Sequence, residues 1–283
     1  MNVSSRARDI AEPVSEPHLI KFLAIAAPYS DPRRISSIVE LGARDCGVTR
    51  ALSALFPQAH VHSFECNPDT LPVCRLAAAT MPNVTFVEKA VGDTDGEVAF
   101  FPIDPDRTVT EWSDGNPGAS SLFRASGKYP VESYVQNEIR VSSTTLETYM
   151  RTNTIESIDL LWMDIQGAEL MALQGMRDRI REVQAIITEV EFLEIYSGQP
   201  LFDDLLAYLH SHGFRLRALT SATGYSADAL FLNTRYITSP GRLAELWCRD
   251  AHLRSVRYLG LRARGLARLA AETVLRRKTD VNV

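Results

Sequence analysis

The feature that most constrains the fold is an apolar segment, Ile35–Leu41, that runs into Gly42 and, five residues later, Gly47. Its β-branched residues favour a strand covered on both faces, as in parallel sheets. The glycines predict a sharp turn and then a helix that begins near Gly47. A second apolar segment, Val61–Glu65, ends in a carboxylate 18 residues after Gly47. A carboxylate at about this distance beyond a glycine turn typically binds ribose hydroxyls, which predicts an adenosine-containing cofactor. A plain structural turn is the alternative.

Strands and helices alternate through most of the chain. Strands are also predicted at Val84–Val87, Ile158–Met163, Ala185–Val190, Phe214–Thr220 and Ala229–Asn233, and helices at Val48–Phe56, Pro68–Thr80, Ala168–Met176 and Phe202–Ser211. This alternation predicts an α/β fold with a doubly wound, mostly parallel, seven-stranded sheet. In such sheets ligands bind at the carboxyl ends of the strands. Gly42, Glu65, Asp164 and Glu189 all fall at strand ends, so we expect them to converge.

Residues 1–34 are predicted to form an N-terminal helical segment, residues 35–239 the main domain, and residues 240–283 a basic helical tail. Residues 102–140 are rich in Pro, Gly, Ser, Asp and Asn and are too long for an ordinary connection. We interpret them as an insertion on the substrate side that acts as a mobile lid, the alternative being an ordered surface loop.

Charge is distributed unevenly between the main body and the tail. The chain carries a net charge of −5, of which the tail contributes +6 and residues 1–239 contribute −11. An acidic body argues against a nucleic-acid substrate or partner. The tail has three interpretations: a helix packed on the acidic body, a homodimer arm, or a peripheral contact with anionic lipid.

The location of the protein is predicted from two absences in the sequence. No apolar run reaches the length of a membrane span, and the N-terminus lacks an apolar signal core. The four cysteines show neither C-x-x-C pairing nor metal-ligand spacing. Both observations predict a cytoplasmic protein with reduced thiols.

Several segments, in this order, resemble the motifs of FkbM-type methyltransferases. They are Ile38–Ala43, Phe64–Pro68, Thr145–Glu147, Asp164–Glu169 with the following Leu173–Gly175, and Ile187–Glu191. The resemblance covers roughly residues 35–232. It implies a Rossmann-like class I methyltransferase fold, here with a C-terminal helical extension. It also implies S-adenosylmethionine as cofactor and methyl transfer, usually to a hydroxyl of a sugar, glycan or secondary metabolite.

The motifs and the strand ends together define the predicted site. Predicted cofactor-binding residues are Glu40, Gly42, Ala43, Arg44, Glu65, Cys66, Asn67, Ala90 and Asp164. Asp164 and Glu189 are the predicted catalytic residues, because methyl transfer to a hydroxyl needs a base. Asp164 could instead cap the following helix. With Glu191, the same two carboxylates are candidate Mg²⁺ ligands, the alternative being that one is the base and no metal binds.

Two departures from the family pattern and two rival functions complete the prediction. The glycine turn holds Arg44-Asp45-Cys46 in place of a shorter spacer, and Gln166 stands where an acid is common. One rival is a nicotinamide-dependent oxidoreductase, but no tyrosine has a lysine four residues later. The other is a non-catalytic adapter that binds the cofactor and docks through its basic tail.

Overall fold

The computed structural model describes residues 17–29, 31–220, 223–258 and 260. Its strands are β1 (Ser37–Leu41), β2 (His60–Phe64), β3 (Val84–Val87), β4 (Ala90–Val91), β5 (Gly96–Phe100), β6 (Ile139–Thr144), β7 (Ile158–Met163), β8 (Val183–Glu191), β9 (Phe214–Thr220) and β10 (Ser226–Asn233). Its helices are α1 (Pro17–Ala26), α2 (Gly47–Leu55), α3 (Leu71–Ala78), α4 (Leu146–Thr152), α5 (Glu169–Gln174), α6 (Phe202–Ser211) and α7 (Pro240–His252). Most predicted elements are found within a few residues of these bounds.

Seven strands form the main sheet in the order β3-β2-β1-β7-β8-β10-β9. Strand β10 runs antiparallel to both of its neighbours, and the other pairs are parallel. This confirms the predicted doubly wound, mostly parallel fold. The strand order reverses between β1 and β7, where ligands bind in folds of this type.

Apolar residues of β1 alternate between two cores, one on each face of the sheet. Val39 and Leu41 join a large cluster, whereas Ile38 joins a second cluster that also contains Leu19 and Phe22 of α1. All of these side chains are fully buried. Because β1 is buried on both faces, its apolar residues are not confined to alternate positions.

A second sheet of three strands, in the order β4-β6-β5, lies outside the main sheet. The predicted seven-stranded sheet does not include these strands, and the two residues of β4 are too few to show a periodicity. Asp95 fixes the end of β6 by accepting hydrogen bonds from the Thr145 backbone nitrogen (2.9 Å) and the Thr148 hydroxyl (2.8 Å). Thr145 in turn caps α4.

The insertion is held by isolated β-bridges rather than by regular strands. The bridged pairs are Phe101 with Ser121, Ile103 with Gln136, Val109 with Ser133, and Ala125 with Tyr196. A short 3₁₀ turn, Pro117–Ala119, lies between the two arms. Backbone hydrogen bonds across the arms explain how a segment poor in apolar residues acquires a defined path.

The first part of the basic tail packs on the main body. Helix α7 is capped by Ser239 and buries Leu246 completely, and Leu253 is also fully buried beyond its end. The guanidinium of Arg215 on β9 lies 3.7 Å from the ring centre of Trp247. The prediction for residues 261–283 falls outside the described residues. In the described part of the chain, no helix combines the length and apolar character that a bilayer crossing requires.

Candidate functional site

A cavity of about 410 Å³ opens at the carboxyl ends of β1, β2, β7 and β8. Predicted residues that line it are Gly42, Arg44, Glu65, Cys66, Asn67, Ala90, Asp164 and Glu189. Its volume falls in the range of small-molecule sites. The topology therefore brings most of the predicted residues to one place.

Gly42 is required because β1 and β7 approach each other closely at their ends. Its φ is +90°, and a Cβ atom placed on it would lie 2.0 Å from the carbonyl oxygen of Asp164. The neighbouring backbone also joins the strands, since the Asp164 nitrogen donates to the Leu41 carbonyl at 3.0 Å. Gly42, a predicted cofactor-binding residue, does line the cavity, but the space left by its missing side chain is filled by the Asp164 backbone just beyond β7.

Glu65 closes the turn that follows β1. Its carboxylate accepts hydrogen bonds from the backbone nitrogens of Arg44 (2.8 Å), Cys66 (2.8 Å) and Asn67 (2.7 Å). Burial raises the pKa of Glu65, and the three N–H donors oppose that rise. The carboxylate is thus fixed by backbone donors on both sides, at the place where the sequence predicted contact with a ribose.

Two predicted cofactor residues, Glu40 and Ala43, do not reach the cavity wall. Both are buried. Glu40 lies between β1 and α2, where one carboxylate oxygen accepts hydrogen bonds from the hydroxyls of Thr49 (2.6 Å) and Ser63 (2.7 Å). The other oxygen has no partner. Burial raises the pKa of Glu40 to about 7.

On the opposite side of the cavity, one amide group bridges two carboxylates. The Gln166 amide nitrogen lies 2.7 Å from an Asp164 oxygen and 3.0 Å from a Glu189 oxygen. The Gln166 amide oxygen lies 2.9 Å from the hydroxyl of Tyr196, a fully buried residue. The sequence had marked Gln166 only as a departure from the family pattern and did not predict this bridge.

Desolvation by the surrounding protein raises the pKa of both bridged carboxyl groups, although Asp164 remains exposed to the open cavity. For Asp164, the Gln166 hydrogen bond opposes the rise, whereas the charge of Asp228 adds to it. For Glu189, burial acts together with the charges of Asp164 and Glu169, and its pKa is raised well above the usual range. The raised pKa of each carboxyl group makes the pair suited to accept a proton.

The two other acids of this region, Glu169 and Glu191, do not line the cavity. Glu169 is buried and accepts a hydrogen bond from the Ile165 nitrogen at 2.9 Å, so it closes the turn before α5. The N-cap position of helix α5 is Ala168, whose side chain forms no cap, and Asp164 does not cap the helix. Glu191 is buried and lies outside the cavity wall.

The residues of the described ranges include no group of three or more His, Cys, Asp or Glu side chains placed to hold a metal ion. The candidate Mg²⁺ set of Asp164, Glu189 and Glu191 is thus not assembled. Although Glu189 and Glu191 share a strand face, only Glu189 lies at the cavity.

The insertion supplies a wall that the sequence did not predict in detail. Trp112, Tyr129, Glu132 and Tyr134 line the cavity from this side. The Glu132 carboxylate accepts hydrogen bonds from the hydroxyls of Thr110 and Tyr134. The concentration of aromatic residues between 112 and 134 was the available signal, but no periodicity placed them relative to the sheet.

Four contacts fasten the insertion to the rest of the site. The Arg44 guanidinium pairs with Asp114 at 2.9 Å. The remaining three are Asn67 Nδ2 to Ser120 Oγ (3.2 Å), Ser121 Oγ to the Gln166 carbonyl (2.7 Å), and the Tyr196 hydroxyl to the Ala119 carbonyl (2.8 Å). The insertion therefore forms part of the cavity wall in this structure.

The chain is similar in sequence to a known family and to a known protein. Residues 40–216 match the model of the methyltransferase FkbM domain. The chain is 27% identical over 239 residues to the 2-O-methyltransferase NoeI of Sinorhizobium fredii, which is 83% of this chain and 95% of that protein.

Solved structures are similar at the level of the fold. Fibrillarin of Aeropyrum pernix with natively bound S-adenosyl-L-methionine has a TM-score of 0.40 and 10% identity, covering 75% of this chain and 74% of that one. Residues 942–1257 of the StiE O-MT have a TM-score of 0.42 and 11% identity, covering 91% and 70%. Because the family model spans more than half of the 283 residues, the chain belongs to the FkbM methyltransferase family.

Proposed function

We propose that this methyltransferase uses S-adenosylmethionine to methylate a hydroxyl oxygen of a sugar, glycan or secondary metabolite. One observation carries the proposal: a single cavity joins a turn suited to a nucleoside to a pair of carboxylates suited to accept a proton. Similarity to a protein described as a 2-O-methyltransferase supports oxygen as the methylated atom.

The cofactor half of the cavity comprises Gly42, Arg44, Glu65–Asn67 and Ala90. A carboxylate has about four lone-pair positions. Three are used by backbone donors to Glu65, two on Oε1 and one on Oε2, which leaves Oε2 able to accept from a ribose hydroxyl. Cys66 and Ala90 provide small, apolar wall positions beside it for an adenine ring. S-adenosylmethionine, when bound, supplies an electrophilic methyl group on a positively charged sulfur.

The acceptor half comprises Asp164, Gln166, Glu189 and the insertion residues Trp112, Tyr129, Glu132 and Tyr134. A hydroxyl is a poor nucleophile until its proton is removed. Asp164 and Glu189 are the two carboxylates in reach of this half, and the raised pKa of each favours acceptance of that proton. The carboxylates also give this half a negative potential that favours a cationic donor nearby.

The insertion acts in this proposal as the cover of the acceptor half. Its contacts to Arg44, Asn67 and Gln166 support that role, because they attach the insertion to residues on both sides of the cavity. Exclusion of water would protect the reacting groups. Hydrogen exchange across residues 102–140 should slow when cofactor and acceptor bind together; equal exchange with and without ligands would reject a lid.

The remaining predictions are tested separately. Treatment with EDTA should leave activity unchanged, since the three candidate Mg²⁺ ligands do not form one group. A loss of activity that Mg²⁺ restores would contradict this.

Truncation after Pro240 should lower the stability of the protein, because it removes the buried side chains of Leu246 and Leu253 from the core. Loss of dimerisation or of vesicle binding alone would favour the other two interpretations of the tail. The cytoplasmic location stays a prediction.

The decisive experiment combines binding and turnover. Calorimetry should detect binding of S-adenosylmethionine, and a screen over glycosides and hydroxylated natural products should reveal methyl transfer to one class. Cofactor binding without turnover on any acceptor would favour the adapter. Binding of a nicotinamide dinucleotide in its place would favour the oxidoreductase.

A further inference from the structure

Gln166, at the wall of the acceptor half, has an unusual backbone conformation. It follows β7 with a φ of +55°, a region that non-glycine residues rarely adopt. Its backbone carbonyl accepts a hydrogen bond from Ser121 of the insertion at 2.7 Å. Backbone strain of this kind persists only where the surroundings enforce it. The local structure thus holds the Gln166 side chain at the cavity wall.

The chemistry of its neighbours fixes which way the amide group points. Gln166 Oε1 and the Ala119 carbonyl oxygen both lie near the Tyr196 hydroxyl, at 2.9 and 2.8 Å. Ionised carboxylates only accept hydrogen bonds, so the Gln166 nitrogen must face Asp164 and Glu189, where its two N–H groups each have a carboxylate partner. Gln166 Oε1 then faces the Tyr196 hydroxyl, whose single proton is shared between Oε1 and the Ala119 carbonyl.

A glutamate at this position could not make the same contacts. Its carboxylate has no N–H donors, and it would add a third negative charge beside Asp164 and Glu189. An uncharged amide is therefore the group that can join two carboxylates without a further proton. This gives a physical reason for the glutamine at a position where the family commonly has an acid.

We propose that Gln166 is a positioning residue, oriented by Tyr196, that holds Asp164 and Glu189 at a fixed separation for proton removal from the acceptor. This inference rests on the proposed function. Removal of the bridge would leave both carboxylates free to move within the cavity. A misplacement of about 1 Å in a reacting group can lower the rate by ~10²-fold. The cofactor half would be unaffected, because none of the contacts of Glu65 involves Gln166.

The test compares three variants with one matched control. Gln166→Leu keeps a similar size and removes both donors, and we expect kcat to fall by ~10–10²-fold with cofactor affinity unchanged. Gln166→Glu should lower kcat at least as much. Tyr196→Phe should lower kcat less, and it should add nothing to Gln166→Leu, since the hydroxyl acts only through the amide. The control is Gln184→Leu, whose amide donates to Asp159 at the opposite ends of β7 and β8.

The outcomes separate this inference from the proposed function. A Gln166→Leu enzyme with unchanged kcat, or a Tyr196→Phe effect that persists in full on the Gln166→Leu background, would overturn the positioning role. If Gln166→Leu does not fold, an unchanged kcat in Tyr196→Phe overturns it. Full activity in Asp164→Asn and Glu189→Gln would instead overturn the proposed site. An equal loss in Gln184→Leu would assign the Gln166 effect to general stability.

Discussion

The cofactor half and the acceptor half both contain carboxylates at strand ends, but they hold them with different groups. Glu65 accepts from three backbone nitrogens, two of which belong to the residues that follow it directly. Asp164 and Glu189 share one side-chain amide, whose orientation depends on Tyr196 and, through Ala119, on the insertion. The backbone donors to Glu65 belong to local turns, whereas the side-chain donor holds its two carboxylates only when β8, Tyr196 and the insertion are in place. The difference suits a half that holds a ligand and a half that moves a proton.

The largest effect is expected in the acceptor half. Asp164→Asn and Glu189→Gln should each lower kcat by ~10²–10⁴-fold, the usual effect of losing general acid–base catalysis. Cofactor affinity measured by calorimetry should change far less, since neither residue contacts Glu65. A variant that binds the cofactor normally and retains full turnover would remove its residue from the catalytic pair.

The next effect concerns Gly42, where the two halves touch. Gly42→Ala should lower the free energy of unfolding by about 3 kcal/mol or more, because the new Cβ meets the Asp164 carbonyl in a strained backbone region. Urea denaturation measures this. Gly198→Ala is the matched control, since its φ is +77° and a Cβ there meets nothing within 4 Å. Gly198→Ala should lower the free energy of unfolding by only about 1–2 kcal/mol. Equal losses in the two variants would show that backbone strain, and not the contact with the Asp164 carbonyl, causes the loss.

Beneath the cofactor half, Glu40 should make stability depend on pH. Its pKa is about 7 when folded and near 4.5 when unfolded, so its contribution is full below pH 4.5 and is lost as the pH rises through 7. Relative to the native protein, Glu40→Gln should therefore gain up to about 3 kcal/mol between pH 4.5 and 8. Arg75 lowers the pKa of Glu88, so Glu88→Gln should show the opposite trend. A pH-independent difference for Glu40→Gln would contradict the assignment.

The smallest effect is expected for cofactor affinity at Glu65. Glu65→Ala should weaken binding of S-adenosylmethionine by ~1–3 kcal/mol, as expected when a hydroxyl loses a buried partner. Glu88→Ala is the control, because Glu88 also follows a parallel strand directly but is exposed and paired with Arg75. If calorimetry gives equal affinities for the two variants, the ribose assignment of Glu65 is wrong.

The strand pattern by itself determined the fold and the edge at which the site lies. Short apolar runs such as Leu160–Met163 favour strands covered on both faces, and alternation with helices favours a parallel sheet. The cofactor half could be predicted because Gly42 and Glu65 are close in sequence and their contacts depend on local turns; that it binds the cofactor stays a prediction. Family motifs supplied the reaction, which the family match over residues 40–216 confirms.

Tertiary structure alone decided how the predicted carboxylates of the acceptor half, Asp164 and Glu189, are held. The Gln166 bridge needs β8, Tyr196 and the insertion, which are separated from it by 23, 30 and 45 residues. No periodicity or spacing relates such positions, because their contacts arise only after the strands have paired. For the same reason the sequence placed Glu40 at the cofactor and Glu191 in a metal set. A strand pattern predicts which residues share a face, but tertiary packing decides which of those residues reach the cavity.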